Sequence, residues 1–185
     1  MFMLQGYFIA RGKHLVLDNM QIVHPDDMQK FQKVPVIDTI IRLGGALQTG
    51  ILAVTFVLSP ADTYSYLAPQ DSVRLSMLRV KVDELKASES RLHTIAGMQT
   101  TLRLDNAIIQ SLTGQRIWRG SLPVVRPIHP DHANSPAEKL RNALPSVLGQ
   151  DILQRYPLYA NPHTGQVFLF TQEEAQRLPI ERRDA

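Results

Sequence analysis

The chain has 185 residues, 44% of them apolar, with 12 prolines and 10 glycines, which fits one domain with a buried core and excludes a disordered composition. The formal charge is +3 and the pI is near 9.3, but the 20 Lys and Arg residues are spread along the chain without a dense cluster. That pattern reads as a solvated surface, and a nucleic-acid partner is not expected.

There is no cysteine, so disulfides and thiolate metal sites are excluded and a cytoplasmic setting is expected. The start "MFMLQGYFIARGK" lacks the basic, apolar, small-residue order of a secretory leader. The longest apolar run, "ILAVTFVL" (residues 51–58), is too short to span a bilayer, so no membrane contact is expected.

Strand signals dominate. "QGYFIA" (residues 5–10) and "HLVLDN" (residues 14–19) flank Arg11-Gly12-Lys13 and predict a hairpin. "VPVIDTIIRL" (residues 34–43) ends at the Gly44-Gly45 turn. "LQTGILAVTFVL" (residues 47–58) is rich in β-branched residues and reads as a long buried strand. Pro69 stands at a first helical position for residues 69–77, and residues 80–88 extend that helical region. "RLHTIAG", "MQTTLRLD" and "NAIIQSL" follow, up to Thr113-Gly114. "QRIWRGSLPVVRPI" (residues 115–128) reads as a strand.

"HPDHANSP" (residues 129–136) is a loop, and Ser135-Pro136-Ala137-Glu138 is a capping box that opens a short helix to about Asn142. Pro145 ends it. "SVLG" (residues 146–149) is a short strand, "QDILQRY" (residues 150–156) a short helix, and residues 156–170 a hairpin around Asn161-Pro162-His163-Thr164-Gly165. The tail "TQEEAQRLPIERRDA" is polar and is expected to fray or pack loosely.

Two separated pieces resemble one family, in the right order. The first is "FVLSPADTYSYLAPQDSVRL" (residues 56–75), preceded by a long strand and a Gly-Gly turn. The second is "LPSVLGQDILQRYPLYANPHTGQVFLF" (residues 144–170). Together they resemble the retropepsin-like aspartic proteases, especially single-domain bacterial members. In that family a strand runs into D-T-G-A, a short strand and a proline-started turn, and far downstream comes an apolar-apolar-G-R-D/N-apolar-L motif. Val147-Leu148-Gly149-Gln150-Asp151-Ile152-Leu153 fits this second motif at every position but one. The resemblance implies a mainly β, closed barrel with two or three short helices. It also implies three parts: residues 1–33 as an N-terminal extension, its hairpin packing on the barrel; 34–172 as the domain; and 173–185 as a polar tail.

The resemblance also implies a chemistry. Two facing carboxylates cannot both ionise, so they share a proton, one acting as base on a water and the other as acid. A single-domain chain supplies one aspartate and needs a two-fold dimer to complete the pair. Counting back eight residues from Leu67 puts Ser59 at the family's aspartate position, so D-T-G becomes Ser59-Pro60-Ala61. A serine hydroxyl cannot share a proton as a carboxylate does, and Pro60 removes a backbone donor. The alternative register sets Asp62-Thr63 on the D-T pair, with Tyr64 in the glycine position, where the backbone must approach closely. A further departure agrees with the first register. The family's acidic residue and arginine, which pair near the dimer contact, are here Thr63 and Gln150, so neither half is left as an unpaired buried charge.

The expectation is a noncatalytic scaffold that holds a peptide or protein chain in its groove through Ser59, Pro60, Ala61, Thr63 and the flap-position residue Gly97. The alternative is an active homodimeric aspartic endopeptidase using Asp62, or a heterodimer with an intact relative. No cofactor or metal is expected: there is no Gly-rich phosphate loop, nucleophile elbow or HExxH motif. His129 and His132 read as a polar loop, Asp38 as an outward strand residue, Asp151 as a helix-start aspartate, His93 and Gly97 as parts of an ordinary hairpin, and Trp118 and Tyr156 as wall residues.

Overall fold

The computed structural model describes residues 4–10, 33–43, 50–75, 80, 85–94, 97–128 and 135–177. They form nine strands and four short helices in the order β1 (Leu4–Ala10), β2 (Lys33–Leu43), β3 (Ile51–Leu58), α1 (Pro69–Val73), β4 (Lys86–Thr94), β5 (Gly97–Ser111), β6 (Arg116–Val125), α2 (Pro136–Asn142), β7 (Ser146–Leu148), α3 (Gln150–Leu153), β8 (Leu158–Asn161), β9 (Gln166–Leu169) and α4 (Gln172–Arg177). Among the described residues, no helix is long and apolar enough to cross a membrane.

β2 is the organising strand. Its first residues pair with β1, its last with β5, and its other edge carries β3 along most of its length, all antiparallel. β3 alternates: Leu52, Val54, Phe56 and Leu58 point into the core, whereas Ile51, Ala53 and Thr55 are exposed. The fully buried strand expected from its β-branched content is therefore buried on one face only, as is common where an antiparallel pair has one wet side. Asp38 lies on that outer side, where it accepts hydrogen bonds from the Tyr7 hydroxyl (3.1 Å) and the Thr55 hydroxyl (2.6 Å).

β5 joins the segments "MQTTLRLD" and "NAIIQSL" into one long strand. Its register against β6 shifts between Leu104 and Ala107, where Asn106 adopts a φ of 57°. A bulge of this kind bends a strand, and asparagine tolerates the left-handed conformation better than most residues. The bend lets β5 pair with β4 at one end and with β2 at the other. The main core lies between these strands and includes Ile37, Ile41, Phe56, Leu67, Leu122, Leu148 and Ile152. Trp118 and Tyr156 pack on its edge, and the Tyr156 hydroxyl donates to the Ile117 carbonyl at 2.6 Å. A second, smaller cluster of Tyr66, Leu92, Val125, Leu144 and Val147 lies beside it.

Several expectations are corrected. The strands do not close a barrel by continuous ladders: the sheet follows the open path β4-β5-β2-β1-β9-β8, with β3 and β7 branching from β2 and β6 from β5. Two isolated bridges, Tyr66 to Val147 and Leu67 to Val124, link β7 to β6 instead. Leu4–Ala10, expected as half of an N-terminal hairpin packing on the barrel, is hydrogen-bonded to both β2 and β9; the expected hairpin partner, residues 14–19, lies outside the described residues. Helix α1 ends at Val73, and Lys86–Ser88, expected to be helical, begin β4. The tail is not loose throughout. Thr171 and Glu174 form a reciprocal capping pair, with the Glu174 N–H on the Thr171 hydroxyl (3.3 Å) and the Thr171 N–H on the Glu174 carboxylate (2.9 Å), and this pair starts α4.

The capping box of α2 forms as the sequence indicates, with Ser135 accepting from the Glu138 N–H and Glu138 capping Ser135 in return. The Asn142 side chain then accepts from the Ile128 N–H (2.9 Å) and donates to the Ile128 carbonyl (2.6 Å), fixing α2 beside the end of β6.

Phe56 is fully buried on β3. Phe56→Ala is expected to cost about 3–5 kcal/mol, whereas Thr55→Ala next to it, on the exposed face, should cost well under half of that. Urea unfolding of the two variants beside wild type measures the difference; equal costs would contradict the assigned faces of β3.

Candidate functional site

β3 ends at Leu58 and the chain turns at once. The Asp62 N–H donates to the Ser59 carbonyl at 3.1 Å, closing a four-residue turn with Pro60 in its second position, where a fixed φ favours the turn. The Ser59 N–H donates to the Leu148 carbonyl at 3.0 Å, so the head of the turn is fastened to the end of β7. β7 runs parallel to β3. Beyond the turn, Tyr66 exchanges backbone hydrogen bonds with Val147 (2.9 and 3.0 Å). Leu67 takes the opposite edge, donating to the Pro123 carbonyl (2.8 Å) and accepting from the Val125 N–H (3.0 Å). Residues 66–67 are thus inserted between β7 and β6.

The start of α3 completes the knot. The Gln150 N–H donates to the Asp62 carbonyl at 2.7 Å and the Asp151 N–H to the Thr63 carbonyl at 3.2 Å. The Asp151 carboxylate accepts from both the Ser65 N–H (2.9 Å) and the Ser65 hydroxyl (2.7 Å), and the same hydroxyl accepts from the Gly149 N–H at 2.8 Å. Gly149 permits this approach: a Cβ there would lie 2.6 Å from the Tyr64 carbonyl carbon and 2.8 Å from the Asp62 carbonyl oxygen, both backbone atoms. Asp151 starts α3, as expected, and it also holds the turn 86 residues upstream.

A second polar link lies nearby. The Ser146 hydroxyl accepts from the Ala68 N–H and donates to Asp71, each at 2.8 Å, and Arg74 contacts the other Asp71 oxygen at 3.1 Å while donating to the Ala53 carbonyl at 2.9 Å.

Around the turn is a cleft of about 700 Å³. Leu58, Ser59, Ala61 and Asp62 line one part, Leu144 to Val147 another, and Tyr7, Ile9 and Val34 of β1 and β2 a third. Tyr66, from the smaller core cluster, lines it beside Asp62. Burial first, and then the Asp62 carboxylate, push the Tyr66 phenol well above its usual range, so Tyr66 stays a neutral hydroxyl.

Ser59, Ala61 and Asp62 are therefore brought together at the cleft. Pro60 and Thr63 belong to the same turn but are exposed and do not line the cleft. Thr63 and Gln150, both exposed, are joined to each other's neighbourhood through backbone bonds, a contact that requires no charge. Gly97 begins β5 in the hairpin with β4, opposite Thr94, and does not line the cleft either. His129 and His132 lie outside the described residues. Sequence reading did not find Tyr7, Ile9, Tyr66, Asp71 or Ser146 as cleft residues. For Asp71 there was a local signal, an acidic residue in a proline-started helical turn; for β1 there was none, because its pairing with β2 and β9 is set by distant residues.

An apolar cleft built on a hydrogen-bonded turn, with a carboxylate and a neutral phenol at its polar end, is suited to holding an apolar chain or ligand. No family model matches the chain, and no curated protein sequence does. Among solved structures, the chain is similar to the crystal structure of a retropepsin-like aspartic protease from Rickettsia conorii, at 12% identity over 91% of this chain and 92% of that one, with a TM-score of 0.42.

Gly149→Ala is expected to destabilise the protein by about 1–3 kcal/mol, since the new methyl meets backbone rather than a flexible side chain. Gln150→Ala, with an exposed side chain, should stay within about 0.5 kcal/mol. Thermal or urea unfolding decides, and a Gly149→Ala variant as stable as wild type would contradict the close approach.

Proposed function

We propose that this protein has a retropepsin-like scaffold without the proteolytic centre, and that it works by holding an extended peptide or a segment of another protein in the cleft, in the cytoplasm. The observation that carries this reading is the head of the turn. In the register proposed from the resemblance, Ser59-Pro60-Ala61 stands where the chemistry needs a carboxylate, and Ser59 and Ala61 line the cleft. Binding an extended chain uses backbone hydrogen bonds and side-chain pockets and needs no carboxylate pair.

A second reading is favoured by one fact: Asp62, three residues on, also lines the cleft. In that reading two copies each contribute Asp62 to a proton-sharing pair, or one copy pairs with an intact relative, and the assembly is an aspartic endopeptidase.

A peptide-library cleavage assay from about pH 3 to 7, where carboxylate acids and bases operate, separates the two. The noncatalytic reading expects no cleavage by wild type at any pH. Cleavage by wild type that disappears in Asp62→Asn would overturn it and establish the second reading.

A further inference from the structure

Among the described residues, the cleft is lined by carboxylates and by no basic side chain. The protein carries a net charge of +3, yet no Lys, Arg or His among the described residues lines the cleft, whereas Asp62 and Asp71 do. The two carboxylates are not equivalent. Asp71 already has the Ser146 hydroxyl on one oxygen and the Arg74 guanidinium on the other. Asp62 is committed to the fold through its backbone, with its N–H on Ser59 and its carbonyl on Gln150, and the Tyr66 phenol, which lines the same cleft and feels its charge, stays neutral and supplies no countercharge.

An apolar segment laid over this cleft removes water from Asp62. A neutral occupant leaves that carboxylate desolvated and without a cation, which costs binding energy. An occupant with an ammonium or guanidinium at the same place replaces the lost water by a charge-assisted hydrogen bond. An acidic occupant is repelled.

Building on the proposed peptide-holding role, we infer that the occupant is an apolar peptide segment carrying one lysine or arginine, whose cationic head sits on Asp62 while its apolar neighbours pack against the partly exposed Ile9, Val34 and Val57. The cation selects the segment and sets its register, and the apolar wall supplies most of the contact area.

The test uses labelled, capped heptapeptides of valine, leucine, alanine and threonine with one variable central residue: lysine, norleucine or glutamate. Fluorescence anisotropy with the full-length protein gives affinities for wild type, Asp62→Asn and Ala61→Trp, the last placing a large ring in the cleft, with thermal unfolding as the check that each variant is folded. Lysine peptides are expected to bind wild type roughly tenfold more tightly than norleucine peptides, with glutamate weakest. The lysine preference should vanish in Asp62→Asn and shrink at high salt, and all binding should be lost in Ala61→Trp. Equal affinity for lysine and norleucine peptides, both lost in Ala61→Trp, overturns the cation requirement and leaves the peptide-holding role standing. A lysine preference that persists in Asp62→Asn also overturns the inference, since the cation is then read elsewhere. No binding of any peptide to wild type overturns both.

Discussion

One contact organises the functional end of this protein: the approach of the Gly149 backbone to the chain at residues 62–65. β3 and β7 are parallel neighbours. The chain leaving β3 turns at residues 59–62 and doubles back, so that Tyr66 pairs antiparallel with Val147 of β7. Gly149 allows the two backbones to touch, and five hydrogen bonds then fix them: Gln150 N–H to Asp62, Asp151 N–H to Thr63, the Ser65 N–H and hydroxyl to the Asp151 carboxylate, and Gly149 N–H to the Ser65 hydroxyl. The insertion of residues 66–67 between β7 and β6 follows from that anchoring, and so do the position of Tyr66 and the placement of Ser59, Ala61 and Asp62 at one cleft.

The same knot separates structural roles from functional ones. Asp151 and Ser65 spend their polar groups on each other and on the Gly149 N–H. Asp71 is held by Ser146 and Arg74. Of the two carboxylates lining the cleft, Asp62 is held to the fold by backbone hydrogen bonds and Asp71 by its side chain. Proton sharing needs a second carboxylate within a few ångströms, which a single-domain chain would take from another copy, whereas a cation can pair with Asp62 without one. The proposed preference for a basic segment rests on this asymmetry, and the proposed noncatalytic role rests on Ser59 and Ala61 at the cleft.

Much of this was legible in the sequence where local chemistry decides structure. The sequence at residues 146–156 marked a short strand running into a short helix, Ser135-Pro136-Ala137-Glu138 marked the start of α2, and the residues after Leu58 marked a tight turn. What was not legible depends on partners far away in the chain. The alternating burial of β3 is decided by which side its antiparallel neighbour β2 leaves open. β1 reads as a generic apolar strand, and only its pairing with β2 and β9 makes it a cleft wall. The assignment of residues 86–88 to a helix failed because their short polar pattern suits either state, and pairing with β5 settles it as strand. The Thr171–Glu174 cap was a local signal that the polar composition of the tail obscured. The link between Ser65 and Asp151 spans 86 residues, and nothing near either residue announces it.

The most direct test of the account is to map where an apolar peptide touches the protein. Backbone amide NMR spectra recorded with increasing amounts of a capped lysine-centred heptapeptide would report this residue by residue. The account predicts that perturbed amides cluster at residues 58–71 and 143–147, with further changes at Tyr7 and Ile9, and that the peptide is recovered intact. Perturbations confined to the β4–β5 hairpin or to β8 and β9, or a peptide recovered in fragments, would contradict it.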